Sequence, residues 1–187
     1  MSTALFISDP HWGHQRIIQY CNRPFVTAAE MDEVLIKNWN NKVKPEDTVY
    51  VLGDLAFKHS KDQIVAILKR LNGKIIYVLG NHDGNAVLAA LDEVGIPYAG
   101  LRDIVIKDPE MEYGEQCITL CHYPMITWNK SHRGAWQLYG HHHGSKKDFE
   151  NKLTYSQLDV SVEAHNYTPV SYEEVKTIIT KQYLGKV

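Results

Sequence analysis

Five short apolar runs in this chain each end at a residue able to bind a metal ion, and that recurrence constrains the fold more than any other feature. Ala4–Ile7 (ALFI) leads through Ser8 to Asp9, Pro10 and His11. Thr48–Leu52 (TVYVL) leads through Gly53 to Asp54, and Lys74–Leu79 (KIIYVL) leads through Gly80 to Asn81, His82 and Asp83. Cys117–Cys121 (CITLC) stops at His122, and Gln137–Tyr139 (QLY) passes through Gly140 to His141, His142 and His143. The second and third runs are unbroken stretches of β-branched and aromatic residues, which suits strands buried on both faces of a parallel sheet.

Helix signals fall between these runs. Thr27 and Glu30 have capping-box spacing ahead of an amphipathic segment ending near Asn41. Ser60 and Gln63 repeat the signal before IVAILKRL, with Gly73 placed to stop that helix. A third helix is expected over Asn85–Val94, closed by Gly95, and a last one from the Ser171/Glu174 box to about Gln182. Leu101–Lys107 and Gln116–Cys121 read as a β-hairpin. The order β-α-β-α-β-α, then a strand-rich half and a helix, predicts one α/β domain over residues 1–187.

Open α/β sheets bind ligands beyond the carboxyl ends of their strands. Two carboxylates (Asp9, Asp54), the amide oxygen of Asn81 and four histidines (His11, His122, His141, His143) would therefore converge in one crevice, with His82 beside them. An alternating backbone would turn His141 and His143 to one side and His142 to the other. Each residue also has an ordinary explanation. Asp9 before a proline and Asp54 after a glycine suit turns, Asn81 tolerates a left-handed backbone, and His122 could be a satisfied boundary histidine. Those explanations would have to coincide at five strand ends.

Composition narrows the remaining classes. A formal net charge of −2 gives no basic excess, which disfavours nucleic acid as a partner; the Lys146–Lys147 pair reads as a solvated loop. Three cysteines without C-x-x-C spacing suit reduced thiols and a cytoplasmic location. Neither a signal peptide nor an apolar stretch near the ~20 residues needed to span a bilayer is present, so no membrane role is expected. G-x-S-x-G and P-loop patterns are missing as well.

The ordered blocks D-x-H, G-D, G-N-H-D, H and G-H-x-H, from Asp9 to His143, resemble the calcineurin-like metallophosphoesterase superfamily. The flanks SDPHWGHQRIIQYCNRPF and VSVEAHNYTPVSYEEV look like its small bacterial and phage members. The resemblance implies an α/β fold in which a two-sheet β-sandwich is flanked by helices. It also implies two divalent ions. Asp9, His11, Asp54 and His143 would hold the first, and Asp54, Asn81, His122 and His141 the second, with Asp54 bridging. His82 would act on the leaving group or steady phosphoryl charge. Ions about 3.5–4 Å apart can clamp the attacking and leaving oxygens of an in-line displacement. The nitrogen and oxygen donor set suits Mn²⁺, Fe, Co²⁺ or Zn²⁺, with manganese the first choice.

Asp83 could orient His82 or cap the helix that follows. His14, Arg23 and Arg133 are candidate substrate contacts; Arg16, like Arg23, could contact a phosphate or be a surface or structural residue, Trp128 and His132 share with Arg133 a segment that would wall the site, and Trp12, His59 and His165 read as packing or surface residues. The stretch from Asp83 to His122 leaves little room for a cap domain. An uncapped site favours a phosphodiesterase acting on a small or nucleotide-type substrate, with a phosphomonoesterase, including a protein phosphatase, as the alternative. A non-catalytic metal-binding scaffold is the alternative of another class, but it should have lost a ligand or His82. No protein partner is evident.

Overall fold

The structure, a computed structural model, describes residues 2–145 and 153–185. Lys146 and Lys147 lie outside the described residues. The chain runs β1 (Ala4–Ile7), α1 (Gln15–Tyr20), α2 (Ala28–Lys42), β2 (Thr48–Leu52), α3 (Lys61–Leu68), β3 (Lys74–Val78), α4 (Asn85–Val94), β4 (Tyr98–Ala99), β5 (Leu101–Lys107), β6 (Glu115–Cys121), β7 (Trp136–Tyr139), β8 (Gln157–Asp159), β9 (Val170–Ser171) and α5 (Tyr172–Leu184). All five expected runs form strands, and the expected hairpin is β5–β6, pairing Leu101 with Cys121 and Ile106 with Gln116.

These strands make two sheets flanked by helices, as the family resemblance implies. One has the order β4-β3-β2-β1-β9 and the other β5-β6-β7-β8. In the first, β1, β2 and β3 are parallel neighbours; in the second, β6, β7 and β8 are. Parallel strands end on the same edge, so each sheet delivers its strand-end residues to one place.

Period-two burial explains why the layers stack. Leu5, Ile7, Val49, Val51 and Tyr77 face a core shared with α2, α3 and α4. The intervening Phe6, Leu52 and Val78 face the other way and pack with Ile118, Leu120, Trp136 and Leu138 of the second sheet. Alternate residues of one strand thus serve two cores, which a continuous apolar run permits and a half-polar strand does not. Tyr172, Val175 and Ile179 of α5 join the inter-sheet core.

Most helix signals hold, with local differences. Ser60/Gln63 and Ser171/Glu174 form reciprocal capping boxes. Thr27 accepts from the Glu30 amide, but the Glu30 carboxylate accepts from the Val26 amide instead of closing the box. Gly95, at φ 71°, ends α4 as expected. Gly73 does not stop α3, which ends at Leu68. Its φ of 87° serves the turn into β3, where a Cβ would meet Val43 Cγ1 at 2.7 Å. The sequence reading misses α1 and the short strands β4, β8 and β9, which are too brief to show a period. Among the described residues no helix is long and apolar enough to cross a membrane, and Cys21, Cys117 and Cys121 are free thiols.

Candidate metal centre

Asp9, Asp54 and Asn81 follow the carboxyl ends of β1, β2 and β3, while His122, His141 and His143 follow β6 and β7. The chain turns abruptly at these points. Asp9, His11, Asp54, His141 and His143 all have left-handed backbones, with φ of 58°, 52°, 57°, 71° and 51°. Asp and His accept this conformation better than most residues, but each instance still costs on the order of 1 kcal/mol or more. Its concentration on five expected ligands marks where the fold accepts strain. Three glycines let the two sheets close on the site. A Cβ at Gly53 would meet His122 Nδ1 at 2.6 Å, one at Gly80 would collide with Asp54, and one at Gly140 with Ser8 and Asp9.

The segment His141–His143 is therefore a turn and not the alternating strand that the sequence suggested. The ring centroid of His142 lies 4.9 Å from that of His141.

The donor atoms converge on the Asp54 carboxylate. Asp54 Oδ2 lies 3.5 Å from His11 Nε2, 3.6 Å from His122 Nε2 and 4.0 Å from His82 Nε2. Asp9 Oδ1 lies 3.9 Å from His11 Nε2 and 3.8 Å from His143 Nε2. Asn81 Oδ1 is 2.9 Å from both His122 Nε2 and His141 Nδ1. Asp9, His11, Asp54 and His122 are each at most 1% exposed. Yet Asp9 Oδ1 and both ring nitrogens of His11 have no hydrogen-bond partner. Such orphaned buried groups are expensive. Donors on one ion with bonds of roughly 2.0–2.2 Å can be no more than about 4 Å apart, and these spacings satisfy that limit. The residues present fit a metal.

Surrounding groups hold the donors in place. Asp9 Oδ2 accepts from the His141 amide at 2.9 Å and lies 2.6 Å from Ser8 Oγ, which leaves Oδ1 facing the site. His122 Nδ1 is 2.7 Å from the Leu52 carbonyl. A carbonyl can only accept, so Nδ1 carries the proton and Nε2 keeps its lone pair for the site. Burial sets the charges of the metal-free pocket. It lifts Asp9 to about 6 against the pull of His143 and His122, and lowers His141 to about 4 with help from His122. Burial also pushes His11 far down, reinforced by His143. His143 is the exception: burial opposes its charge, but hydrogen bonds with Cys21 and Glu163 raise it to about 10.

The flanking candidates separate into two groups. His82 stays at the mouth, its side chain 46% exposed. His14 is also on this rim, its ring 5.4 Å from that of His11 and stacked at 4.0 Å on Phe57; burial, then His82, lowers its pKa. The remaining three sit elsewhere. Asp83 neither reaches the His82 ring nor caps α4, whose N-cap is Gly84. Its carboxylate accepts from Tyr77 Oη at 2.8 Å and from the amides of Gly80 at 2.7 Å, Asp54 at 3.1 Å and Leu55 at 3.0 Å, so it braces the loop carrying Asp54. Arg23 is buried behind the site, donating to Glu163 and to the carbonyls of Asp9 and Pro10, and offers nothing to a substrate. Arg133 precedes β7 and lines a cavity with Cys117, Trp136 and Tyr183 at the opposite end of the strands from His141. Parallel pairing of β6 with β7 forces the chain from His122 back along the whole sheet, so Trp128 and His132 leave the crevice too.

Glu163, absent from the sequence reading, accepts from His143 Nδ1 at 2.8 Å. A signal for it exists. Leu158, Val160 and Val162 alternate with Asp159, Ser161 and Glu163, so a further run ends in a carboxylate.

Comparison with known proteins agrees with this geometry. A family model described as calcineurin-like phosphoesterase matches residues 2–166. An uncharacterized protein of Methanocaldococcus jannaschii is 38% identical over 100% of this chain and 95% of its own. The Gene 66 protein of Mycobacterium phage D29 is 25% identical over 96% of each chain. The crystal structure of an Aquifex aeolicus protein of unknown function superposes with a TM-score of 0.70 at 27% identity, covering 95% of this chain and 100% of that one.

Proposed function

The chain belongs to the calcineurin-like phosphoesterase family, and on that premise we propose that it hydrolyses phosphodiesters at a two-metal site. Asp9, His11, Asp54 and His143 would hold the first ion; Asp54, Asn81, His122 and His141 would hold the second. The observation that carries this reading is the position of Asp54 Oδ2, 3.5 Å from His11 Nε2 on one side and 3.6 Å from His122 Nε2 on the other. One carboxylate oxygen shared between two donor sets is what a pair of cations needs to offset their mutual repulsion.

Bound there, divalent ions supply Lewis acidity and a nucleophile at neutral pH. The chain supplies the rest. Asp54 is fixed by its Oδ1, which accepts from the His82 amide at 2.9 Å, and by the Asp83 contacts to its loop. His82 Nε2, half exposed at the mouth, hands a proton to the departing oxygen or hydrogen-bonds the phosphoryl charge. His14 and Phe57 line the rim beside it.

Support for a diester comes from the open mouth. The chain between Asp83 and His122 is taken up by α4, β4 and the β5–β6 hairpin, so no cap domain lies there among the described residues. Manganese is the first choice of ion. The test uses protein stripped of metal and reloaded with Mn²⁺, assayed on bis(p-nitrophenyl) phosphate and on p-nitrophenyl phosphate. Metal-dependent turnover favouring the diester is expected, and His82→Ala should keep both ions while losing about 100-fold or more in turnover. A preference for the monoester would overturn the diester assignment. Inactivity of fully loaded protein on both esters would leave a metal-binding scaffold.

A further inference from the structure

We infer that Glu163, clamped by Arg23, is a positioning residue that fixes the ring of His143 for the first metal position. The inference rests on the two-metal reading above and concerns groups outside its ligand sets. Glu163 Oε1 receives three donors: His143 Nδ1 at 2.8 Å, Arg23 Nη2 at 2.6 Å and Arg23 Nε at 2.9 Å. By taking the Nδ1 proton, Glu163 reserves Nε2, 3.8 Å from Asp9 Oδ1, as the atom that would meet the ion.

Arg23 in turn is saturated. Its Nη2 also donates to the Asp9 carbonyl at 2.8 Å, and Nη1 donates to the Pro10 carbonyl at 2.9 Å and to Met31 Sδ at 3.2 Å. With the two bonds to Glu163, all five guanidinium N–H groups are used. The same cation thereby holds the left-handed backbone at Asp9, the first ligand in the chain, and the carboxylate that orients His143, the last. Burying an ion pair is a poor way to gain stability, because desolvation cancels most of the attraction. Arg23 is nonetheless only 4% exposed. The arrangement is better explained by orientation than by stability. The donor residues this group touches, Asp9 and His143, both belong to the first donor set, and none of these bonds involves Asn81, His122 or His141.

The selectivity provides the test. Metal-free parent, Glu163→Gln, Glu163→Ala and Arg23→Gln are titrated with Mn²⁺, following free ion by electron paramagnetic resonance to resolve two affinities. With the proton that His143 must release taken into account, Glu163→Ala should weaken one of the two intrinsic affinities about 10- to 100-fold and spare the other, Glu163→Gln should lose less, and in a His143→Ala background the Glu163 change should add nothing. Thermal unfolding is recorded in parallel. Variants with a lower melting temperature but both affinities at parental values would overturn the inference, as would equal weakening of both ions. Should Arg23→Gln fail to fold, the nearly isosteric Glu163→Gln decides the matter alone. A parent that binds no Mn²⁺ would instead overturn the two-metal reading, and this inference with it.

Discussion

Changing Asp83 to asparagine separates bracing from chemistry. The carboxylate Oδ2 accepts from Tyr77 Oη and from the amides of Asp54 and Gly80, and Oδ1 accepts from the Leu55 amide. Tyr77 and Leu55 are fully buried, so water cannot replace a lost acceptor. An asparagine oxygen in the Oδ2 position turns its NH2 toward the Leu55 amide, leaving two donors face to face. That mismatch costs about 1–3 kcal/mol, and loss of charge from the other three bonds about 1 kcal/mol each, since bonds to charged groups contribute roughly 1.5–3 against 0.5–1.5 for neutral ones. Relief from burying a charge offsets part of this, and about 3–5 kcal/mol of destabilisation remains. At about 2–4 °C per kcal/mol for a chain of this size, the melting temperature should fall by roughly 10 °C. Calorimetry on metal-free protein gives the number, and turnover per metal-loaded molecule is measured alongside. A variant that melts with the parent while losing turnover as completely as His82→Ala would refute the reasoning and return Asp83 to a chemical role.

Gly140→Ala should lower both stability and metal affinity, because its Cβ would collide with Ser8 and with the carboxylate of Asp9; a metal titration matching the parent's would contradict the close approach described. Metal binding should also depend on pH. With His143 raised to about 10 by Cys21 and Glu163, its proton must leave before an ion can bind. Affinity should therefore rise by about tenfold per pH unit from 7 toward 10 and level off above, with about one proton released at pH 7. Calorimetry in buffers of different ionisation enthalpy reads that proton, and a pH-independent affinity would count against the assignment of His143. Arg133→Ala, at the far end of β7, should leave diester turnover and both affinities at parental values in the same assays.

Much of the fold was legible because its signals are local. A strand buried on both faces must be apolar throughout, and a chain leaving a sheet needs residues that tolerate a tight turn, so TVYVL before Gly53 and KIIYVL before Gly80 declare both strand and exit. The three-residue β8 escaped notice although the alternation continues from Leu158 to Glu163, and Glu163 escaped with it. Arg133 was misplaced for a topological reason: His122 and His141, which flank its segment in sequence, lie on the candidate site, but parallel pairing of β6 and β7 carries the intervening chain away. Arg23 and Asp83 have the composition of catalytic residues, and sequence cannot tell an arginine that faces solvent from one whose donors are all taken.

The sequence by itself determined which residues end the strands and hence the proposed donor set, from Asp9 and His11 through Asp54, Asn81 and His122 to His141 and His143. The left-handed turns at five of these positions, the sharing of Asp54 Oδ2 between two groups of donors, and the Arg23–Glu163–His143 contact were decided only by the tertiary structure. The reason is range. Periodicity and turn chemistry act over a few neighbouring residues, whereas the partner of Arg23 lies 140 positions along the chain and is set by how two sheets pack.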